Sequence, residues 1–202
     1  MSSSKDNQAA RPSGIVGWIF GEIMAWSNHE MNLFTLESLQ PTATDRVLEI
    51  GFGPGRMLAA LADRVQHVDG VDLSSTMVSQ ASWRNAAAIA AGRVRVQEAS
   101  IERLPFADAC FDAVCAVNTF QFWPQPEENL REVRRVVRCG GRVAITLRSG
   151  AGSWPLGFGG LDESQTIATL QSLLPLSGFC DVRPTSAKLR LVTATCITAA
   201  AD

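Results

Sequence analysis

The sequence predicts an α/β fold built on a seven-stranded, mostly parallel sheet with helices on both faces. Three observations carry this. Short β-branched runs alternate with helix-spaced segments from residue 46 to residue 147, and alternating units of that kind form parallel sheets covered on both sides. Three glycines, Gly51, Gly53 and Gly55, follow the first of these runs directly, where a strand must turn sharply into a helix. Two more β-rich runs lie beyond residue 179 with no helix between them, which predicts an antiparallel C-terminal hairpin at one edge.

The elements follow in order. A first strand is expected at 46–51, where Val47, Leu48 and Ile50 form a buried run. A helix from about Arg56 to Arg64 leads to a second strand at 67–72. Ser74 or Ser75 can cap the next helix through its hydroxyl, and that helix is expected to reach Ala91. Strands at 93–97 and 111–117 come next, then a helix at 127–137 stopped by Gly140-Gly141, then a strand at 142–147. Five glycines between Gly150 and Gly160 indicate a loop, followed by a helix from Asp162 to about Leu174. The runs 180–189 and 191–198 make the hairpin, and Pro184 weakens the first of them as a central strand. Upstream, Ile15, Trp18, Ile19, Ile23, Trp26, Phe34 and Leu36 recur mostly at helical spacing. They predict one or two helices before the core, ended by Gln40-Pro41.

Residues 1–13 are polar and expected to be disordered, residues 14–40 to form a helical lid, and residues 41–202 to form one core domain. The chain is 46% apolar and 19% charged, with a formal net charge of −2. That balance gives no support to a nucleic-acid partner, which leaves a basic footprint. Five cysteines without a CxxC pair read as buried small side chains in a reducing compartment. With two histidines and no cysteine pair beside them, no metal site is expected. The apolar run 15–26 is twelve residues long and contains Glu22. It is too short to span a bilayer and lacks a cleavage-site pattern, so a cytoplasmic location is expected. Its polar side carries no Lys or Arg, which leaves docking on a membrane surface without electrostatic support. A homodimer contact explains its apolar excess as well.

The chemistry concentrates at the glycine turn. Glu49 precedes Gly51 by two residues, and Asp72 stands seventeen residues after Gly55, at the end of the second strand. Glycines let a backbone approach a ligand where a Cβ would clash. An acid at the end of the second strand can take both hydroxyls of a ribose. The spacing is GxGxG, not the GxGxxG of a dinucleotide cradle. A carboxylate at Glu49 would repel a pyrophosphate and favour a ligand carrying an ammonium and a sulfonium. Spacing and acid together argue for a cationic nucleoside; an NAD(P)-dependent oxidoreductase is the alternative they disfavour. The plainer readings are glycines that serve only tight packing and an Asp72 that caps a helix, the latter compatible with ribose binding.

This combination resembles the class I S-adenosylmethionine-dependent methyltransferases over about residues 46–147. The stretch from Glu49 to Gly55 is similar to the family's first motif, and Asp72, with Leu73 beside it, stands where its ribose-binding acid stands. Ala99 to Phe106 resembles the segment that holds the adenine, with a Leu104-Pro105-Phe106 run similar to the quinone-biosynthesis branch. Phe111-Asp112-Ala113-Val114 resembles the motif of the fourth strand, and Arg134 to Arg142 the turn into the fifth, with Cys139 in place of the usual proline. The resemblance implies a Rossmann-like core, S-adenosyl-L-methionine as cofactor, and cofactor contacts at Glu49, Gly51, Gly53, Gly55, Asp72, Leu73, Ser100, Ile101 and Asn118. One departure stands out: the family often has Asp where this chain has Ser100. A serine can accept one hydrogen bond from the adenine amino group, without charge assistance, and the Ile101 N–H can reach a ring nitrogen.

Methyl transfer by in-line displacement requires alignment, exclusion of water and, for a protonated nucleophile, a base. The acceptor is expected beyond the strand ends beside the fourth strand, where the chain reads Val117 to Trp123. The Asn/Asp-Pro-Pro-Tyr/Phe motif with which relatives grip planar amines is missing there. Phe120, Phe122 and Trp123, if they are not core residues, point to a small, mostly apolar or aromatic acceptor. His29 is the candidate base near neutral pH, with a solvated surface histidine as the plainer reading. Two alternatives stay open beside this small-molecule methyltransferase. One is an enzyme working at a membrane surface on quinone precursors or phospholipids. The other is a homologue that binds the cofactor without turnover.

Overall fold

A computed structural model of the chain describes residues 26, 28–149, 163–190 and 192–202. The expected disordered tail at 1–13, residues 14–25 and 27 of the expected lid, and the whole of the expected loop at 150–160 lie outside them. The strands are β1 (Arg46–Ile50), β2 (His67–Asp72), β3 (Val94–Glu98), β4 (Phe111–Val117), β5 (Val137–Ser149), β6 (Phe179–Lys188) and β7 (Thr193–Ala201). The helices are α1 (His29–Leu39), α2 (Arg56–Ala62), α3 (Ser75–Arg84), α4 (Ala86–Ala90), α5 (Pro126–Val136) and α6 (Glu163–Leu176). The strands form one sheet in the order β3-β2-β1-β4-β5-β7-β6. β1 to β5 run parallel, whereas β7 is antiparallel to both β5 and β6. The fold is the Rossmann-like one expected, with β6 and its Pro184 at the outer edge.

Alternation along each strand sorts side chains to the two faces of the sheet. Leu48, Ile50, Val114, Ala116, Val143, Ile145 and Ile197 meet Leu130 and Val133 of α5 and Leu170 and Leu174 of α6 in one core. Val47, Val68, Ala113, Cys115, Ala144 and Cys196 meet α1, α2 and α3 in the other. α1 falls inside the segment expected to form a lid, yet it lies on the sheet. Met31, Thr35, Leu36 and Leu39 are its buried residues, spaced to fall on one helical face. Thr35 Oγ1 sits 2.6 Å from Thr146 Oγ1 on β5. The Arg142 guanidinium, also on β5, donates to the Leu39 carbonyl at 2.7 Å and the Gln40 carbonyl at 2.9 Å, and pairs with Asp45. A cation at the C-terminal end of a helix satisfies carbonyls that have no partner in the helix.

Two boundaries differ from the sequence reading. The helix expected from Ser74 or Ser75 to Ala91 is interrupted at Asn85. The buried Asn85 side-chain amide donates to Ala81 O at 2.9 Å and Gly55 O at 3.0 Å, so a local side-chain bond competes with the continuing helix. Ser74 caps α3 as expected, its Oγ accepting from the Met77 N–H. Asn85→Ala is expected to lower stability by about 1–2 kcal/mol, because it leaves the Gly55 carbonyl with only the longer bond from the Ala59 N–H at 3.4 Å. An unchanged urea midpoint would show that the bridge contributes nothing.

The second difference is at Gly140-Gly141. β5 already begins at Val137, directly after α5, and the glycines sit within it. Pairing with β4 jumps from Phe111↔Val137 to Ala113↔Arg142, so Asp112 alone stands opposite residues 138–141, a wide bulge. Asp112 Oδ1 pairs with Arg138 Nε at 2.7 Å, and its Oδ2 accepts the Arg46 N–H at 2.6 Å, in keeping with a structural role. Of the cysteines, Cys115 and Cys196 are buried as read, Cys110 is half-buried, and Cys139 and Cys180 are exposed. Among the described residues no helix is long and apolar enough to cross a membrane. Nor do three or more His, Cys, Asp or Glu side chains gather as metal ligands there.

Candidate active site

β1 lies between β2 and β4, so the chain leaves it first to one side and later returns on the other. A crevice opens at the carboxyl ends of strands at such a switch point. Here it is a cavity of about 250 Å³ bordered by Ile50, Asp72 and Val117, the last residues of β1, β2 and β4.

The three glycines of the turn divide the work. Gly51, at φ +72°, donates its N–H to Val71 O at 2.8 Å, and a Cβ there would stand 2.5 Å from Thr119 Cγ2. Gly53, at φ +52°, would meet nothing within 4 Å; it borders the cavity, where the missing side chain leaves room for a ligand. Gly55, at φ +78°, does not line the cavity. A Cβ on it would stand 2.7 Å from both Ala81 Cβ and Asn85 Nδ2, so its contribution is the close approach of α2 to α3. Gly55, expected among the cofactor contacts, thus stands against α3 and outside the cavity lining.

The two acids meet at the floor of the crevice. Asp72 is buried, its Oδ2 accepting the Gly53 N–H at 2.8 Å and its Oδ1 the Ser74 N–H at 2.9 Å. Burial pushes its carboxyl up to about 6, against the pull of those two N–H groups, and Glu98 adds repulsion. Glu49 is 3% exposed, and among the described residues its Oε2 has no hydrogen-bond partner. Burial first, and the neighbouring Asp72 second, hold its carboxyl well above the usual carboxylate range. A buried acceptor without a donor is costly, and a cation arriving beside it would relieve that cost.

The remaining walls come from three loops. Leu73, Ser100 and Ile101 border the cavity on one side. On the other stand Asn118, Thr119, Phe122 and Trp123. Asn118 adopts φ +55°, a conformation that Asn tolerates better than most residues. Its N–H donates to Thr146 O at 2.7 Å and its carbonyl accepts from Gln121 Nε2. Phe120 is separated from this wall: it is buried in the core with its ring 5.2 Å from that of Trp123, outside the cavity lining. His29 is exposed on the first turn of α1 and does not border the cavity either; its neighbours Asn28 and Asn32 do. Sequence reasoning missed these two asparagines, although their four-residue spacing puts them on one helical face.

Residues 48–145 match the family described as a methyltransferase domain. The uncharacterized methyltransferase YdaC of Bacillus subtilis is 33% identical over 132 residues, which cover 64% of this chain and 71% of that protein. The chain belongs to the S-adenosylmethionine-dependent methyltransferase family. The ubiquinone/menaquinone biosynthesis C-methyltransferase UbiE of Geotalea daltonii is 30% identical over 55% of the chain and 49% of its own length. The chain spans less than half the length of most of the other curated methyltransferases it matches. A crystal structure of a SAM-dependent methyltransferase from Aquifex aeolicus shares the fold at a TM-score of 0.68, with 19% identity, covering 85% of this chain and 89% of that one.

The methyltransferase family's cofactor is a nucleoside with a sulfonium and an ammonium, and the residues present fit it. The buried Glu49 oxygen, without a donor among the described residues, suits a cation. Gly53 leaves its Cβ space open, and the Asp72 carboxylate is fixed in place by two backbone donors.

Proposed function

We propose that the chain transfers a methyl group from S-adenosylmethionine to a small, mostly apolar or aromatic acceptor. The observation that carries the acceptor class is the wall of Phe122, Trp123 and Pro124, which borders the same cavity as Glu49 and Gly53. Glu49, Asp72, Leu73, Ser100, Ile101 and Asn118 would hold the cofactor, with the backbone of Gly51 and Gly53 in close approach. Bound there, the cofactor supplies an electrophilic methyl group. The residues around it need not supply a nucleophile; they align the acceptor and keep water out. Trp123, buried against Phe120 in the core, borders the cavity with an aromatic face, and Phe122 adds a second. Such surfaces suit a flat or apolar acceptor. The name of the Geotalea daltonii relative, a quinone-biosynthesis C-methyltransferase, agrees with that class.

A labelled-methyl assay across apolar phenols, quinols, thiols and polar amines tests the reading. Phe122→Ala is expected to raise the acceptor KM by about tenfold, since it removes binding shared by ground and transition states. S-adenosylhomocysteine affinity should stay within about twofold. Preferential turnover of polar amines, indifferent to Phe122→Ala, would reject the acceptor class.

A further inference from the structure

The methyltransferase resemblance leaves a gap at the adenine: a serine, Ser100, stands where an aspartate is usual. The loop after β3 sets a different carboxylate beside that serine. Ser100 Oγ donates to Glu102 Oε2 at 3.1 Å and accepts the Glu102 N–H at 3.2 Å. The serine's only hydroxyl proton and one of its two lone pairs are therefore spent on Glu102. Ile101, between them, is buried in the core, which anchors the turn and leaves its flanking side chains on the cavity side. Ser100, Ile101 and Glu102 all border the cavity.

We propose that Glu102 supplies the acceptor for the adenine 6-amino group in this chain, with Ser100 as the residue that positions it. This rests on the S-adenosylmethionine reading above. The Ser100 bond occupies one lone pair of one Glu102 oxygen, whereas a carboxylate offers about four acceptor positions. Beside it, the Ile101 N–H makes no backbone hydrogen bond among the described residues. A carboxylate acceptor next to an N–H donor is the complement of adenine, whose amino group donates and whose ring nitrogen accepts. Hypoxanthine reverses both: its 6-oxo group accepts and its ring nitrogen carries a proton. It would set an oxygen against the Glu102 carboxylate. A charged acceptor is also about twice as strong as a neutral one, which a serine alone could not match.

The test is calorimetric titration of the full chain with S-adenosylhomocysteine and with S-inosylhomocysteine, which differs only in replacing the 6-amino group by oxygen. Wild type is expected to prefer the adenosyl ligand by at least about tenfold, because a site built to hydrogen-bond a group rejects its replacement. Glu102→Ala is expected to remove most of that preference, weakening the adenosyl ligand and relieving the inosyl one, and to leave only the part set by the Ile101 N–H. Glu102→Gln, which keeps an acceptor oxygen without the charge, should fall between. Ser100→Ala should reduce the preference without erasing it. Glu102 is exposed, so its variants should melt with wild type, and a melting curve checks this. A wild-type preference retained in Glu102→Ala overturns the proposal, most directly if Ser100→Ala abolishes it instead. Failure of wild type to bind S-adenosylhomocysteine at all would overturn the cofactor reading, and this proposal with it.

Discussion

Glu49→Gln is expected to weaken binding of S-adenosylmethionine by about ten- to a hundredfold while making the ligand-free chain more stable. Both effects come from one buried oxygen. Glu49 is 3% exposed, Oε2 finds no donor, and Asp72 lies close enough to oppose its ionisation. Folding without a ligand therefore biases this carboxyl toward its protonated form, relative to the unfolded chain. The proton uptake that this bias brings costs free energy as the pH rises, and a glutamine does not incur that cost. When the cationic cofactor enters, the ionised form becomes the favoured one, and glutamine cannot supply that charge.

The sign with pH follows from the directions of the two shifts. Both carboxyls titrate above their unfolded values, Asp72 at about 6 and Glu49 well above its usual range. The stability they contribute is fully present below the ordinary carboxylate range. It is lost as pH rises through about 6, and further as Glu49 ionises. Cofactor affinity should rise over the same interval, with proton release on binding. Glu49→Gln should remove most of that release and gain about 1–2 kcal/mol of ligand-free stability at neutral pH, with no gain in acid. Thermal melts and calorimetry in buffers of different ionisation enthalpy between about pH 5 and 8 measure all of this. Equal affinity in both proteins, or affinity flat with pH, would contradict the account.

The glycine turn should separate folding from binding. Gly55→Ala is expected to destabilise the chain by about 2–5 kcal/mol. A non-glycine residue at φ +78° costs about 1–2 kcal/mol, and the methyl collides with Ala81 and Asn85 for about 1–3 more. Gly53→Ala carries only the first cost, because nothing lies within 4 Å. Its methyl stands in the cavity, so affinity for S-adenosylhomocysteine should fall by about tenfold or more in a chain that stays folded. Urea unfolding and titration of both variants read the two columns independently. If Gly53→Ala unfolds the chain and Gly55→Ala merely weakens binding, the division of roles is wrong.

That division was only half legible. The spacing of Gly51, Gly53 and Gly55, with Glu49 before them and Asp72 after, locates the crevice, because a strand-to-helix turn of this kind has few uses. It does not distinguish a glycine needed by a ligand from one needed by a neighbouring helix, which depends on where Ala81 and Asn85 come to rest. The sheet is readable for a related reason: apolar runs such as Ala113 to Val117 are too short and too continuous to be much else. The break at Asn85 and the bulge opposite Asp112 were not, since each is decided by one side chain meeting a backbone far off in sequence. Phe120 and Phe122 look alike as letters, yet one is buried beneath Trp123 and the other faces the cavity. Nothing in the sequence marks the pairing of Ser100 with Glu102, which the turn after β3 creates.

The placement of β7 between β5 and β6 has a consequence for how the molecule is made. β1 to β5 can assemble in the order they leave the ribosome, since each parallel strand finds a neighbour already synthesised. β6 is made before β7 but pairs only with it, so on its own it has nowhere to go. Until residues 193–201 emerge, the flank of β5 is an open ladder rich in Val, Ile and Leu, the kind of edge on which chains pair with one another. Aggregation during expression should therefore respond sharply to changes in β7, even at positions such as Ala199 that lie far from the crevice and leave the chemistry untouched.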